Sequence, residues 1–117
     1  MTAPNIVNVT TIYGKTAVQL VTVSATAIVS NVNDSGKVIK INSLFISNVS
    51  GTASADITVD VYRGSAAYRI ASTVKVPEDA LVDLLSKSIY LEEGDSLRLT
   101  ASSNSYLEAV CSYEEIS

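Results

Sequence analysis

Apolar and polar positions alternate along much of this chain with a period of two. In Asp56-Ile57-Thr58-Val59-Asp60-Val61-Tyr62, the residues Ile57, Val59 and Val61 fall on one face and Asp56, Thr58, Asp60 and Tyr62 on the other. Ser96-Leu97-Arg98-Leu99-Thr100-Ala101 repeats the scheme. So does Leu107-Glu108-Ala109-Val110-Cys111-Ser112-Tyr113, which sets Cys111 beside Ala109 and Tyr113 on the inward side. Further extended segments are predicted over 17–24, 26–29, 38–47, 68–76, 81–85 and 88–91. No window sustains a 3.6-residue apolar repeat. The expectation is an all-β protein of about eight or nine short strands.

Turn chemistry falls between these segments. Asn33-Asp34-Ser35-Gly36, Ser50-Gly51-Thr52 and Pro77-Glu78-Asp79 separate strands. Arg63-Gly64-Ser65 reads as a tight hairpin, and Glu92-Glu93-Gly94-Asp95 as a type I turn ending in a left-handed glycine. Turns at this spacing predict an antiparallel β-sandwich, jelly-roll-like, with the core in residues 17–117. Residues 1–16 read separately, as an extended N-terminal arm or edge strand. Their half-apolar run Ile6-Val7-Asn8-Val9-Thr10-Thr11-Ile12-Tyr13 is broken by Gly14-Lys15-Thr16. The arm either adds a strand to a neighbouring subunit or forms an ordinary edge of its own sheet.

Composition sharpens this mainly by exclusion. The 117 residues suit one domain and include fifteen Val, ten Ile and ten Thr, the β-branched types that strands favour. Histidine and tryptophan are absent and Cys111 is the one cysteine. Cys/His zinc sites, intramolecular disulfides and histidine-based triads are therefore excluded. The net charge is −4 and the pI about 4.6, with eight Lys and Arg scattered along the chain. That predicts neither a nucleic-acid nor an anionic-membrane partner. The apolar runs are too short to span a bilayer as a helix, and Met1–Asn5 carries no signal-peptide features.

Each candidate site has a simpler structural explanation. Gly14-Lys15-Thr16 matches the end of a phosphate-binding loop, but Val9 stands where that loop needs its first glycine. Glu92, Glu93 and Asp95 share one turn and form a calcium candidate, although the EF-hand spacing is absent and a solvated turn suffices. Cys111 lies on the apolar phase and reads as a small buried hydrophobe. No cofactor and no catalytic residue is expected, and the enzyme class is set aside. A carbohydrate- or host-surface-binding module stays open as a reading of another class.

Mean hydropathy is +0.29 and only 17% of residues are charged, against about 25% in ordinary soluble domains. A component that buries surface against partners is therefore expected. Candidate interface residues are Ile6, Val7, Val9, Ile12 and Tyr13 of the arm, with Tyr62, Tyr68 and Tyr106, whose amphipathic rings suit a subunit contact.

The phrases Ile12-Tyr13-Gly14-Lys15-Thr16, Ile46-Ser47-Asn48-Val49-Ser50-Gly51, Val61-Tyr62-Arg63-Gly64, Ile89-Tyr90-Leu91-Glu92-Glu93-Gly94-Asp95-Ser96-Leu97-Arg98 and Leu107–Ile116 resemble small β-sandwich virion structural proteins of tailed bacteriophages, those of marine and cyanobacterial phages in particular. The resemblance implies a non-enzymatic virion protein assembled in the host cytoplasm. Its expected role is a capsid decoration or cement protein that self-associates and clamps the major capsid protein. A ring- or trimer-forming neck, tail or fibre accessory is the alternative. The resemblance carries no catalytic or binding residues across.

Overall fold

The alternating segments do become strands, and their apolar faces meet. The computed structural model describes Asn5 and residues 8–117, and among these residues there is no helix. Nine strands form: β1 (Ile12–Leu20), β2 (Thr26–Ser30), β3 (Val38–Asn48), β4 (Ala55–Arg63), β5 (Ala66–Val76), β6 (Leu81–Asp83), β7 (Ile89–Leu91), β8 (Ser96–Ala101) and β9 (Leu107–Ile116). One sheet runs β1-β9-β3-β6, with β7 also pairing β3, and the other runs β2-β8-β4-β5. Every pairing is antiparallel. The pairs β1/β9, β2/β8, β3/β7 and β4/β5 are nested, so the chain is wound as one long hairpin laid over two sheets.

Between the sheets lie Ile39, Ile41, Leu44, Ile46, Leu91, Leu107, Ala109 and Cys111 from one side. Val29, Ala55, Ile57, Val59, Val76, Leu97, Leu99 and Ala101 face them from the other. Strand β3 is long enough to take two short partners in succession. Ile39–Ile41 pair with β7 and Phe45–Ser47 with β6, on either side of a bulge between Ile41 and Ser43.

Two buried asparagines fix the loops at opposite ends of β3. Asn31 donates from Nδ2 to the carbonyls of Lys37 (2.9 Å) and Leu91 (3.0 Å), and its Oδ1 accepts from Ser35 Oγ. Asn48 donates to the carbonyls of Ala53 (2.9 Å) and Val76 (3.0 Å) and accepts the Ser50 N–H (2.8 Å). Each amide satisfies main-chain groups that a loop buried this deeply would otherwise leave unpaired.

The Arg63-Gly64-Ser65 hairpin is a two-residue turn with Gly64 and Ser65 both at positive φ (58° and 66°), the pair of conformations that matches strand twist. Gly94 has φ 91°, and a Cβ there would sit 2.6 Å from Asn33 Oδ1, so the turn before β8 requires glycine.

Two expectations need correction. The Gly14-Lys15-Thr16 break is absent, because β1 continues through it in unbroken register with β9; Gly14 lies in open space, so its missing side chain leaves no gap. The 81–85 and 88–91 segments shorten to three residues each, since Leu84 and Leu85 turn inward, Leu85 being buried. The outward face of β4 holds polar groups that are themselves partnered. Asp60 is buried beneath Arg69, whose Nη1 donates to both carboxylate oxygens (2.8 and 3.0 Å). Thr58 Oγ1 is taken up by the Thr73 N–H (3.1 Å).

Leu97 is fully buried at the centre of this core. Leu97→Ala is expected to lower unfolding free energy by about 2–5 kcal/mol, from lost transfer energy and the residual cavity. Equilibrium urea denaturation checks it.

Candidate functional site

β1 ends its sheet, and among the described residues no strand pairs with its outer side. Thr11 and Ser117 exchange both main-chain hydrogen bonds (2.9 Å each way), and their hydroxyls meet at 2.7 Å. Ten residues on, the Val21 N–H donates to the Leu107 carbonyl (2.9 Å). In an antiparallel ladder such bonds alternate. The odd-numbered residues of β1 therefore turn their N–H and C=O groups toward β9. Ile12, Gly14, Thr16, Val18 and Leu20 turn theirs away from the sheet.

The same five residues place their side chains on the outer face of the sheet, and most of these are apolar. Ile12 is 56% exposed, Val18 75% and Leu20 50%. Register lines Val18 up with Val110 of β9, and Val110 with half-buried Phe45 of β3. An apolar row thus crosses the outer face from the free edge inward. A groove of about 350 Å³ lies along it, lined by Val18, Gln19, Leu20, Glu108, Ala109 and Val110. On the opposite face of β1, Ala17 packs against the core and Gln19 donates to the Ala27 carbonyl (3.0 Å), tying β1 to β2 of the other sheet.

The expected interface residues separate into groups. Ile6 and Val7 lie outside the described residues. Val9 is half-buried, and next to it the Thr10 N–H donates to the Ser117 carbonyl (2.7 Å), so the chain entering β1 is tied to the chain's own C-terminal residue. Ile12 and Tyr13 are exposed on β1. Tyr62 lies on the outer face of the second sheet, covered by the Arg98 guanidinium 4.3 Å from its ring. Tyr68 is exposed and lines a different groove, about 400 Å³, with Val61, Arg63, Ile70, Ile89 and Tyr90. Tyr106 is half-buried and packs on the core. The tyrosines do not share one patch. Pattern reading missed Val18, Leu20 and Val110; the signal was an apolar residue on the polar phase of its strand, visible at Val110.

The calcium candidate is organised around a cation of the protein's own. Arg63 donates from Nε to Asp95 Oδ1 (2.7 Å) and from Nη2 to Asp95 Oδ2 (2.6 Å), a bidentate pair, and from Nη2 also to Glu92 Oε2 (3.0 Å). Asp95, 2% exposed, also accepts the Glu92 N–H (2.8 Å), and Glu93 accepts the Gly36 N–H (3.0 Å). The three carboxylates are thus divided between a guanidinium and a loop. Among the described residues no cluster is placed to hold a metal ion. The Arg63 hydrogen bonds, with help from the Glu92 N–H, hold the Asp95 carboxyl below the usual carboxylate range. Hydrogen bonds from Lys15 and Lys37 (3.0 Å each) lower Glu115 in the same way.

Cys111 is fully buried, and burial pushes its thiol up to about 11. It is neither a nucleophile at neutral pH nor accessible to a partner thiol.

No family model matches the sequence, and no curated protein matches it. Among solved structures, a chain of the Bacillus endospore appendages, described as a novel family of disulfide-linked pili, superimposes with a TM-score of 0.56. The alignment covers 100% of this chain and 96% of that one at 14% identity. The likeness is one of fold.

Two outcomes follow from the polar groups. Asp95 has a lowered folded value, so its contribution is complete above the ordinary carboxylate value of about 4 and is lost as pH falls through the lowered one. Asp95→Asn is expected to reduce stability at neutral pH and flatten its decline in acid, measured by urea midpoints across pH. Arg63→Met, which strands a buried acceptor, is expected to cost about 1–3 kcal/mol. Cys111 is expected to resist a thiol reagent in the native protein and to react at once in guanidinium chloride, as absorbance of the released chromophore reports.

Proposed function

We propose that the protein is a non-enzymatic structural subunit of a larger protein assembly. The observation that carries this reading is the free edge of β1, nine residues in unbroken register with apolar side chains exposed along it. Edges of that kind associate unless something covers them. Few charged residues on a hydropathic chain point the same way, and the fold likeness to a pilus chain adds support from another structural protein.

Within that class we infer a virion role, as a decoration protein holding neighbouring shell subunits; neck, tail or fibre accessory is the second placement. An antiparallel two-sheet sandwich suits either, because its long-range pairings give a stiff block with the contacts left to its edges. The pili of the neighbour are disulfide-linked, whereas the single, buried Cys111 offers no such link here. The assembly proposed here therefore does not rely on disulfides through this chain.

The contrasting reading, a host-surface-binding module, rests on the groove lined by Tyr68 and Tyr90. Soluble glycans that raise the melting temperature, an effect abolished by Tyr68→Ala, are its expected signature.

Light scattering and electron microscopy of the purified chain, with and without reductant, test the main proposal. Oligomers that persist in reductant are expected, and a monomer at every concentration overturns it. Quantitative mass spectrometry of phage particles separates the placements. Copy numbers near that of the major capsid protein support decoration, a small fraction moves the protein to neck, tail or fibre, and absence overturns the virion role.

A further inference from the structure

Among the described residues five strands have an edge that no strand pairs, and these edges are not alike. β6 and β7 offer three residues each, and β2 offers five with a register shift between Ala27 and Val29. β5 is long but shifts register twice against β4, carries Thr73 at φ 46° and presents Arg69 and Lys75. Shortness, bulges and charge are the devices that keep edges from pairing. β1 has nine residues, no shift, and Lys15 as its one charge. It alone among these edges is left fit to accept a strand.

The side chains of β1 also say which strand. Two copies meeting antiparallel must match outward-bonding residues with outward-bonding residues, so the even-numbered positions pair with one another. Three registers give substantial overlap. Centred on Lys15, the two ammonium groups stand directly opposite, which is unfavourable. Centred on Ala17, Ile12 has no partner on the opposing strand. Centred on Thr16, all nine residues overlap. Ile12 then faces Leu20, Gly14 faces Val18, Thr16 faces Thr16, and Lys15 lies opposite Ala17. Every outward N–H and C=O of the five even residues is satisfied, and the exposed apolar ends cover each other. Gly14, with nothing within 4 Å of where a Cβ would be, leaves room for the opposing Val18.

We propose that two copies of this chain pair through β1, antiparallel and two-fold symmetric about Thr16, joining their β1-β9-β3 sheets into one continuous sheet. The pairing deepens the structural-subunit reading and rests on it. The dimer is isologous and closed, and any larger assembly grows from it through other surfaces.

Cysteine cross-linking tests the register. Opposed residues that share a hydrogen-bonded pair stand about 5.5 Å apart at Cα, within disulfide range. Thr16→Cys under mild oxidation is expected to run at twice the 12.3 kDa chain mass on a non-reducing gel. Val18→Cys alone is expected to stay monomeric on the gel, its two copies being offset by roughly 14 Å at about 3.4 Å per residue. Gly14→Cys mixed with Val18→Cys is expected to cross-link. A Thr16→Cys protein that stays uncross-linked, or a Val18→Cys protein that links to itself equally well, overturns the proposal.

Proline gives an independent measurement. The Thr16 N–H faces away from β9, so Thr16→Pro is expected to keep the melting temperature of the isolated fold while sedimentation shifts from dimer to monomer. Ala17→Pro, which removes a bond to β9, is expected to lower the melting temperature. If Thr16→Pro folds and remains dimeric, the β1 pairing is wrong. Larger assemblies surviving without the β1 cross-link discard the pairing and leave the structural-subunit reading standing, whereas a wild-type monomer discards both.

Discussion

The fold depends above all on β9 being held between β1 and β3. Its inward residues Leu107, Ala109 and Cys111 belong to the core, and its main chain is bonded on both sides, to partners up to a hundred residues away in sequence. Without it β1 has no neighbour and β3 loses its longest partner. Each of the other features is arranged around that insertion: Thr10 and Thr11 bound to Ser117, Glu115 bridged by Lys15 and Lys37, and Gln19 reaching across to β2. The consequence is an asymmetric molecule. One side of the sandwich is closed by short or bulged strands, while the side made by β1 is regular and open.

Strand positions were legible in the sequence because the period of two is a local signal and the turn residues interrupt it at the right places. Ile57, Val59, Leu97, Leu99, Ala109 and Cys111 could be assigned inward from pattern alone. What pattern could not supply was register and partner. Val18 and Leu20 alternate with Ala17, Gln19 and Val21, and nothing local says which set faces the core; pairing with β9 decides it. Gly14-Lys15-Thr16 has turn composition, yet a long partner strand overrides it. The pairing of Arg63 with Asp95 joins residues thirty-two apart, with three strands between them, so the acidic loop looked solvated when it is held by a guanidinium.

The same contrast explains why the candidate site is an edge rather than a cleft. The chain has no histidine, its one thiol is buried, and the carboxylates of Asp95, Asp60 and Glu115 are engaged by Arg63, by Arg69, and by Lys15 and Lys37. What it does offer is main-chain bonding capacity and apolar area in one place. Tyrosines, the residue type that suggested an interface from composition, are dispersed: Tyr62 under Arg98, Tyr106 against the core, and Tyr68 in a groove on another side.

The nested winding has a counterpart in the order of synthesis. The innermost pair, β4 and β5, is contiguous in the chain and joined by a two-residue turn, so both of its strands are available as soon as they leave the ribosome. The outermost pair is the last to form, because β1 emerges first and waits for β9 while everything between them is translated at about 5–20 residues per second. Throughout that interval β1 is without β9, the strand it bonds to in the finished fold. On a polysome many such strands would coexist, and the bond to β9 in each chain competes with bonds to its neighbours. Whatever keeps nascent chains apart in those seconds therefore bears on the yield of correctly closed sandwiches.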